Sequence, residues 1–258
     1  MKLFVASTGR CGTTFMCNML NRLTNLNVYH EPRPKFVREL MRKINNNEGP
    51  VTDEEFEIAY QEKISQIAGD IDENGNYAET SFAFIKSYVD IVLDNFDNDD
   101  IYCIYLHRNV IDTLMSYVLI CRGRAVMNTC LQPRYKKNIL KTTPGLDAFT
   151  TWIWHWFEVR ERFYHYKDRF AKTWDFDFKN INDADEWLKM LNHFGIKVKS
   201  KYIDMKKLPQ MPEDLSGNLT VQTKHFRYTC REPVRLELLG IKDDSAGAIM
   251  DYVMENWK

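Results

Sequence analysis

The chain has 258 residues, 44% of them hydrophobic and 28% charged, with a formal net charge of −1. This is enough apolar material for one sizeable core, and the near-neutral balance gives no general attraction to nucleic acid or to a membrane surface. No apolar stretch approaches the ~20 residues that span a bilayer, and the six cysteines (11, 17, 103, 121, 130 and 230) show neither CxxC pairing nor metal-type spacing.

Lys2–Ala6 is an apolar run of strand length close to residue 1, and on that ground no signal or transit peptide is expected. With cysteines in apolar surroundings, the expected setting is cytoplasmic with reduced thiols. A small-residue turn, Ser7–Thr14, leads into a helix-like pattern over 13–23 with Phe15, Met19, Leu20 and Leu23 on one face. Asn25–Val28 returns toward a short second strand that ends in Tyr29-His30-Glu31-Pro32. Residues 35–46 read as an amphipathic helix with a basic face. Thr52-Asp53-Glu54-Glu55 is a capping box that opens a helix to about Gly69. After a turn at 72–76, Tyr77–Phe84 reads as a strand with Glu79, Thr80, Ser81 and Lys86 near its tip, where they either contact a ligand or serve the structure. Val89–Phe96 is helical, Ile101–Leu106 a strand, and 110–121 a helix.

Residues 122–141 hold Arg122, Arg124, Arg134, Lys136, Lys137 and Lys141 and no acid. They are either a solvated loop or a segment that favours anions over the site. Pro144–Lys167 is a long aromatic helix whose tryptophans read as core. Arg169–Phe178 reads as a strand with an acidic end, followed by a helix over Asp183–Phe194 and a glycine stop at Gly195. No repeat or linker divides the chain, so residues 1–258 are expected to form a single domain. Alternating strands and helices predict an α/β fold, with a parallel central sheet and helices on both faces. Such sheets bind ligands at the carboxyl ends of their strands.

The turn VASTGRCGTTFM is the densest functional signal. A strand, a glycine turn and a helix N-terminus together cradle an anion, because backbone N–H groups converge there and the helix dipole favours negative charge. Gly9 and Gly12 permit close approach, Thr13 and Thr14 add hydroxyl donors, and Arg10 adds a forked positive charge. A nucleoside-triphosphate P-loop needs G-x-x-x-x-G-K-[ST], whereas here Gly12 precedes Thr13 directly with no lysine between. A cysteine phosphatase needs an arginine six positions after the cysteine, and position 17 is Cys17, so Cys11 reads as a small packing residue within the loop.

The run Arg10-Cys11-Gly12-Thr13-Thr14-Phe15 resembles the 5′-phosphosulfate loop, [KR]-[SA]-G-[TS]-[TS]-[FWL], of sulfotransferases that use 3′-phosphoadenosine 5′-phosphosulfate (PAPS). It departs from that pattern only at Cys11. A second stretch, His107–Tyr117, resembles that family's R-[ND]-P-x-D-x-x-x-S through Arg108, Asn109, Asp112 and Ser116, with Val110 in place of the proline. The resemblance covers about residues 1–195 and implies a P-loop-like sulfotransferase fold without a metal. It assigns Gly9, Arg10, Cys11, Gly12, Thr13 and Thr14 to the 5′ end of the donor, and Arg108 and Ser116 to the 3′-phosphate.

The same resemblance implies two catalytic groups, Arg10 for the developing charge and Glu31 as general base, with His30 the runner-up and Arg33 placed to orient Glu31 or hold an anionic acceptor. It lies closer to the carbohydrate and tyrosyl-protein types than to the phenol and steroid type, whose R-K-G and G-x-x-G-x-x-K segments are missing. Lys224, Arg227 and Arg231 in 222–231 stand as weaker 3′-phosphate candidates. The expected reaction is sulfuryl transfer to a hydroxyl of a saccharide or other polar acceptor. The alternatives are a P-loop nucleotide kinase-like phosphotransferase and a non-catalytic nucleotide-binding relative. Outside the site, His107 is expected to be a satisfied strand-end histidine and His155 to need no special role.

Overall fold

A computed structural model describes residues 1–34, 52–110, 112–113, 116, 139–140, 148–203 and 208. Five strands, β1 (Lys2–Ala6), β2 (Val28–His30), β3 (Tyr77–Thr80), β4 (Ile101–His107) and β5 (Lys172–Asp177), form one sheet in the order β2-β3-β1-β4-β5. Every pairing is parallel, with Lys2 opposite Tyr77 on one side of β1 and opposite Ile101 on the other. Parallel registry puts all five carboxyl ends on one edge, so the turns that follow β1 to β5 share that edge.

Parallel sheets need cover on both faces, and the side chains alternate accordingly. Leu3, Val5, Ile104, Leu106 and Phe176 point to one face. There they pack with α1 (Thr13–Leu23) and α5 (Ala184–Phe194) through Met16, Met19, Leu20, Leu23, Trp187 and Leu191. Phe4, Ala6, Cys103 and Tyr105 point the other way. They meet Ile67 of α2 (Asp53–Gly69), Val89 and Val92 of α3 (Val89–Asn95), and Val159 and Phe163 of α4 (Ala148–Tyr166). The fold is therefore the expected α/β sandwich with a P-loop-like strand–turn–helix at β1–α1.

Local chemistry sets the element ends. Thr52 and Glu55 form the predicted reciprocal capping box of α2. Asp183 caps α5 through the Asp185 and Glu186 amides, and Gly195 ends it at φ 71°. In α1 the buried face includes Met16 and Cys17 beside Met19, Leu20 and Leu23. Phe15, predicted for that face, is only partly buried. The third strand is shorter than expected. It stops at Thr80, and residues Phe84–Tyr88 wind into a π-helical turn whose Phe84 ring stacks on Phe4 at 4.4 Å between centroids.

Glu79, at the end of the third strand, takes the structural one of its two expected roles and belongs to the core. Its carboxylate is 1% exposed, lies 2.9 Å from Lys63 Nζ, and accepts hydrogen bonds from Tyr77 (2.6 Å) and Tyr88. Burial and the adjacent carboxylate push both phenols above their ordinary range. A buried charge at 79 is stable only because all of these partners meet it.

The predicted helix over 35–46, the basic segment apart from Ile139 and Leu140, and the candidates Lys224, Arg227 and Arg231 lie outside the described residues. The same holds for Cys121, Cys130, Cys230 and the tail. Cys11, Cys17 and Cys103 are free thiols.

Candidate functional site

The loop after β1 is shaped from within. Gly9, Arg10 and Gly12 have φ of 83°, 60° and 89°, so the backbone turns back on itself before α1 begins at Thr13. Gly12 is required twice over. Its φ lies in the left-handed region, and a Cβ there would come 2.9 Å from Phe178 Cε2. The Gly9 amide donates to Ser7 Oγ at 3.1 Å. The Cys11 thiol is fully buried and turned inward onto Gly9 O and Thr8 Oγ1. Cys11 therefore offers a ligand only its backbone, and its side chain packs the loop. Thr13 is buried, whereas Arg10 and Thr14 are exposed.

The second motif reaches the same place. Asn109 caps the next helix through the Asp112 amide at 3.4 Å, and Thr113 Oγ1 donates to Asn109 O at 2.8 Å. Val110, Asp112, Thr113 and Ser116 are helical. Ser116 Oγ accepts from Arg10 Nε at 3.4 Å. The sequence pattern pairs Ser116 with Arg108, and the structure brings Arg10 to it as well. The Arg108 guanidinium lies over the Phe178 ring, 4.5 Å from its centroid, with Asp112 Oδ2 3.8 Å from its Nε. Phe178 thus touches both motifs, with the Gly12 backbone against one part of the ring and Arg108 over its face.

Glu31 and His30 close the other side. His30 Nε2 is 3.0 Å from Thr14 Oγ1 on the first turn of α1, and its Nδ1 is 3.0 Å from both Thr80 O and Thr80 Oγ1. Glu31 leaves the edge strand at φ 47°, with its amide on Thr80 O at 3.3 Å and a carboxylate oxygen 3.9 Å from His30 Nε2. Among the described residues, Arg10 and Glu31 are the only non-glycine residues at positive φ. Such conformations cost about 1–3 kcal/mol each and concentrate at functional sites. Arg33 is exposed.

Three side chains support the site from behind: Lys86, already a candidate beyond the third strand tip, and two that the sequence did not single out, His155 and Trp156. Lys86 Nζ, above the Phe82 ring, donates to Thr8 O at 3.0 Å. His155 of α4 hydrogen-bonds to the Thr8 backbone as well, and Trp156 Nε1 donates to Arg108 O at 3.0 Å. Burial, reinforced by the nearby Lys86 and Arg162 charges, holds the His155 pKa well below the ordinary histidine value, so the ring is neutral. Adjacent residues of one helix thereby fix the backbone of both motifs. Arg162 pairs with Glu158 at 2.6 Å and donates to Lys86 O at 3.1 Å, while Glu158 also accepts the Ile139 and Leu140 amides. Nothing in the spacing of a tryptophan-rich helix signals these roles. His107 is satisfied as expected, 2.6 Å from Asp175 Oδ1.

Comparison with protein-family models and with curated proteins finds no match. Among solved structures, the chain is similar to a deoxyadenosine kinase from M. mycoides with bound dATP. The identity is 15%, the match covers 75% of this chain and 99% of that chain, and the TM-score is 0.41. The activity in that description is on the kinase side of the two expected chemistries, but at that score the likeness carries no argument for either.

Proposed function

We propose that the chain is a sulfotransferase that moves a sulfuryl group from PAPS to a hydroxyl of a saccharide or another polar acceptor. The observation that supports this best is the 3.4 Å approach of Arg10 to Ser116, because it joins two motifs whose residue types suit the two ends of one adenosine bisphosphate. The donor set fits that group. The loop has its thiol turned away and glycine where a Cβ would clash, and two guanidinium groups are available for two anionic ends.

The donor would supply an already activated sulfuryl group. Arg10, Gly9, Gly12, Thr13 and Thr14 would hold its 5′ end, with Arg108 and Ser116 at the 3′-phosphate. Arg10 neutralises the negative charge that grows at the loop, an electrostatic role of the oxyanion-hole type. Glu31 takes the proton of the acceptor hydroxyl at its carboxylate. Its position at the end of β2, turned out of the sheet by a positive φ, suits it to face an acceptor.

A second reading, a P-loop kinase-like phosphotransferase, is favoured by one observation. Lys86 places a cation on the carbonyl side of a loop that has no lysine of its own.

Thermal stabilisation separates the two readings. A ligand at ~100 times its dissociation constant adds about 2.7 kcal/mol to the folded state. The sulfotransferase reading expects adenosine 3′,5′-bisphosphate to stabilise the chain more than ATP with Mg²⁺, and the reverse order would discard it.

A further inference from the structure

The bond between Thr14 and His30 has a direction set by a single proton. Thr80 O can only accept, so a 3.0 Å contact with His30 Nδ1 requires the hydrogen to be on Nδ1. The Thr80 hydroxyl can donate to Tyr29 O at 3.5 Å, which leaves its oxygen facing the same N–H. In the neutral ring Nε2 is then a bare acceptor. At 3.0 Å from Thr14 Oγ1, it takes the one hydroxyl proton that Thr14 has. Thr14 would then meet a phosphate or sulfate oxygen with lone pairs only. Once Nε2 binds a proton it donates to Thr14 Oγ1, and the hydroxyl proton is released to turn toward the anion.

We propose that anion binding in the cradle is coupled to uptake of one proton by His30, with Thr14 as the reversible hydroxyl. This rests on the anion-cradle part of the function proposed above and not on its sulfuryl chemistry. The proton comes from solvent and ends on Nε2, and no other bond changes. Without the anion, the N-terminus of α1 disfavours a second positive charge beside it; a bound anion reverses that sign.

Glu31, at the His30 ring's own strand end, lies 3.9 Å from Nε2. On α1, Thr14 is followed a turn later by Cys17, whose thiol hydrogen-bonds to the Thr80 side chain and is pushed up by burial, so it stays neutral. From β3 comes neutral Thr80. Of these, only Glu31 is acidic, and as a carboxylate it favours the protonated ring. His30 thus acts as a positioning residue for a ligand-binding hydroxyl.

The test is titration calorimetry of the full chain at about pH 7.5, in buffers of different ionisation enthalpy. Adenosine 3′,5′-bisphosphate and ATP with Mg²⁺ serve as separate probes. The wild type is expected to take up a proton fraction that approaches one relative to His30→Asn, and its affinity should fall as pH rises, by up to about tenfold per pH unit. Thr14→Val should lose the uptake and Thr14→Ser should keep it. Equal uptake in wild type and His30→Asn, or uptake that survives in Thr14→Val, overturns the proposal. Linked uptake with ATP alone would uphold the coupling and remove the sulfotransferase reading. Unlinked binding of the bisphosphate would do the opposite, and binding of neither probe would remove both.

Discussion

Arg10 Nε and Ser116 Oγ lie 3.4 Å apart although 106 positions separate them in the chain. The contact exists because β1 and β4 are adjacent parallel strands, so the turns that leave them emerge side by side. It gives the candidate site a spine to which the other residues attach.

Replacing Arg108 with alanine removes a charged donor whose guanidinium is already fixed on Phe178. Binding of adenosine 3′,5′-bisphosphate should weaken by about 1.5–3 kcal/mol, roughly ten- to a hundredfold. Calorimetry checks this, and unchanged affinity would separate Arg108 from the nucleotide.

Glu31→Gln keeps the shape of the side chain and removes the base. Nucleotide affinity should hold while turnover drops by roughly 10²–10⁴. A sulfuryl-transfer assay beside a binding measurement reads both quantities, and full activity in the variant would take Glu31 out of the base role.

Gly12→Ala faces two obstacles, a left-handed φ and a Cβ 2.9 Å from the Phe178 ring. The backbone part alone costs about 1–2 kcal/mol. The ring, moreover, cannot retreat without shifting Arg108. Denaturant melts should show lower stability, and nucleotide binding should fall by more than the stability loss explains.

Lys86→Met leaves Thr8 O without its ammonium donor but keeps most of the side-chain bulk. A charged hydrogen bond contributes about 1.5–3 kcal/mol, so the loop should bind the bisphosphate more weakly, and Lys86→Arg should restore part of the affinity. Wild-type affinity in Lys86→Met would show that the loop is held without the lysine.

Acid stability should depend on His155. Its folded pKa lies well below the ordinary value of 6.5, so the unfolded chain binds the extra proton. The stabilisation is full above about pH 6.5 and is lost as pH falls below it, by up to about 1.4 kcal/mol per unit. Urea melts from pH 7 to pH 5 should show this slope in the wild type and a shallower one in His155→Gln. Parallel slopes would place the acid sensitivity elsewhere.

Much of the local structure was legible because its causes are local. The capping box at Thr52 and Glu55, the glycine stop at 195, and the strand–turn–helix at 2–23 depend on residues a few positions apart. The turn at Gly9–Gly12 was readable for the same reason, whereas the positive φ of Arg10 and Glu31 was not. What the sequence left open or missed came from contacts between distant segments. Glu79 reads as either a ligand contact or a structural acid until Lys63 and two tyrosines are folded onto it. The tryptophan helix looks like plain core until His155 and Trp156 reach Thr8 and Arg108.

Taken alone, the chain determined an alternating α/β order and a glycine turn between β1 and α1, because hydrophobic period, glycine placement and capping act over a few residues. Only the tertiary structure decided that Ser116 sits on Arg10, that Phe178 seats Arg108 against Gly12, and that Lys86 backs the loop. Those contacts depend on which strands are neighbours and on how their ends align, and strand pairing is a balance of packing over the whole sheet that no short stretch of sequence encodes.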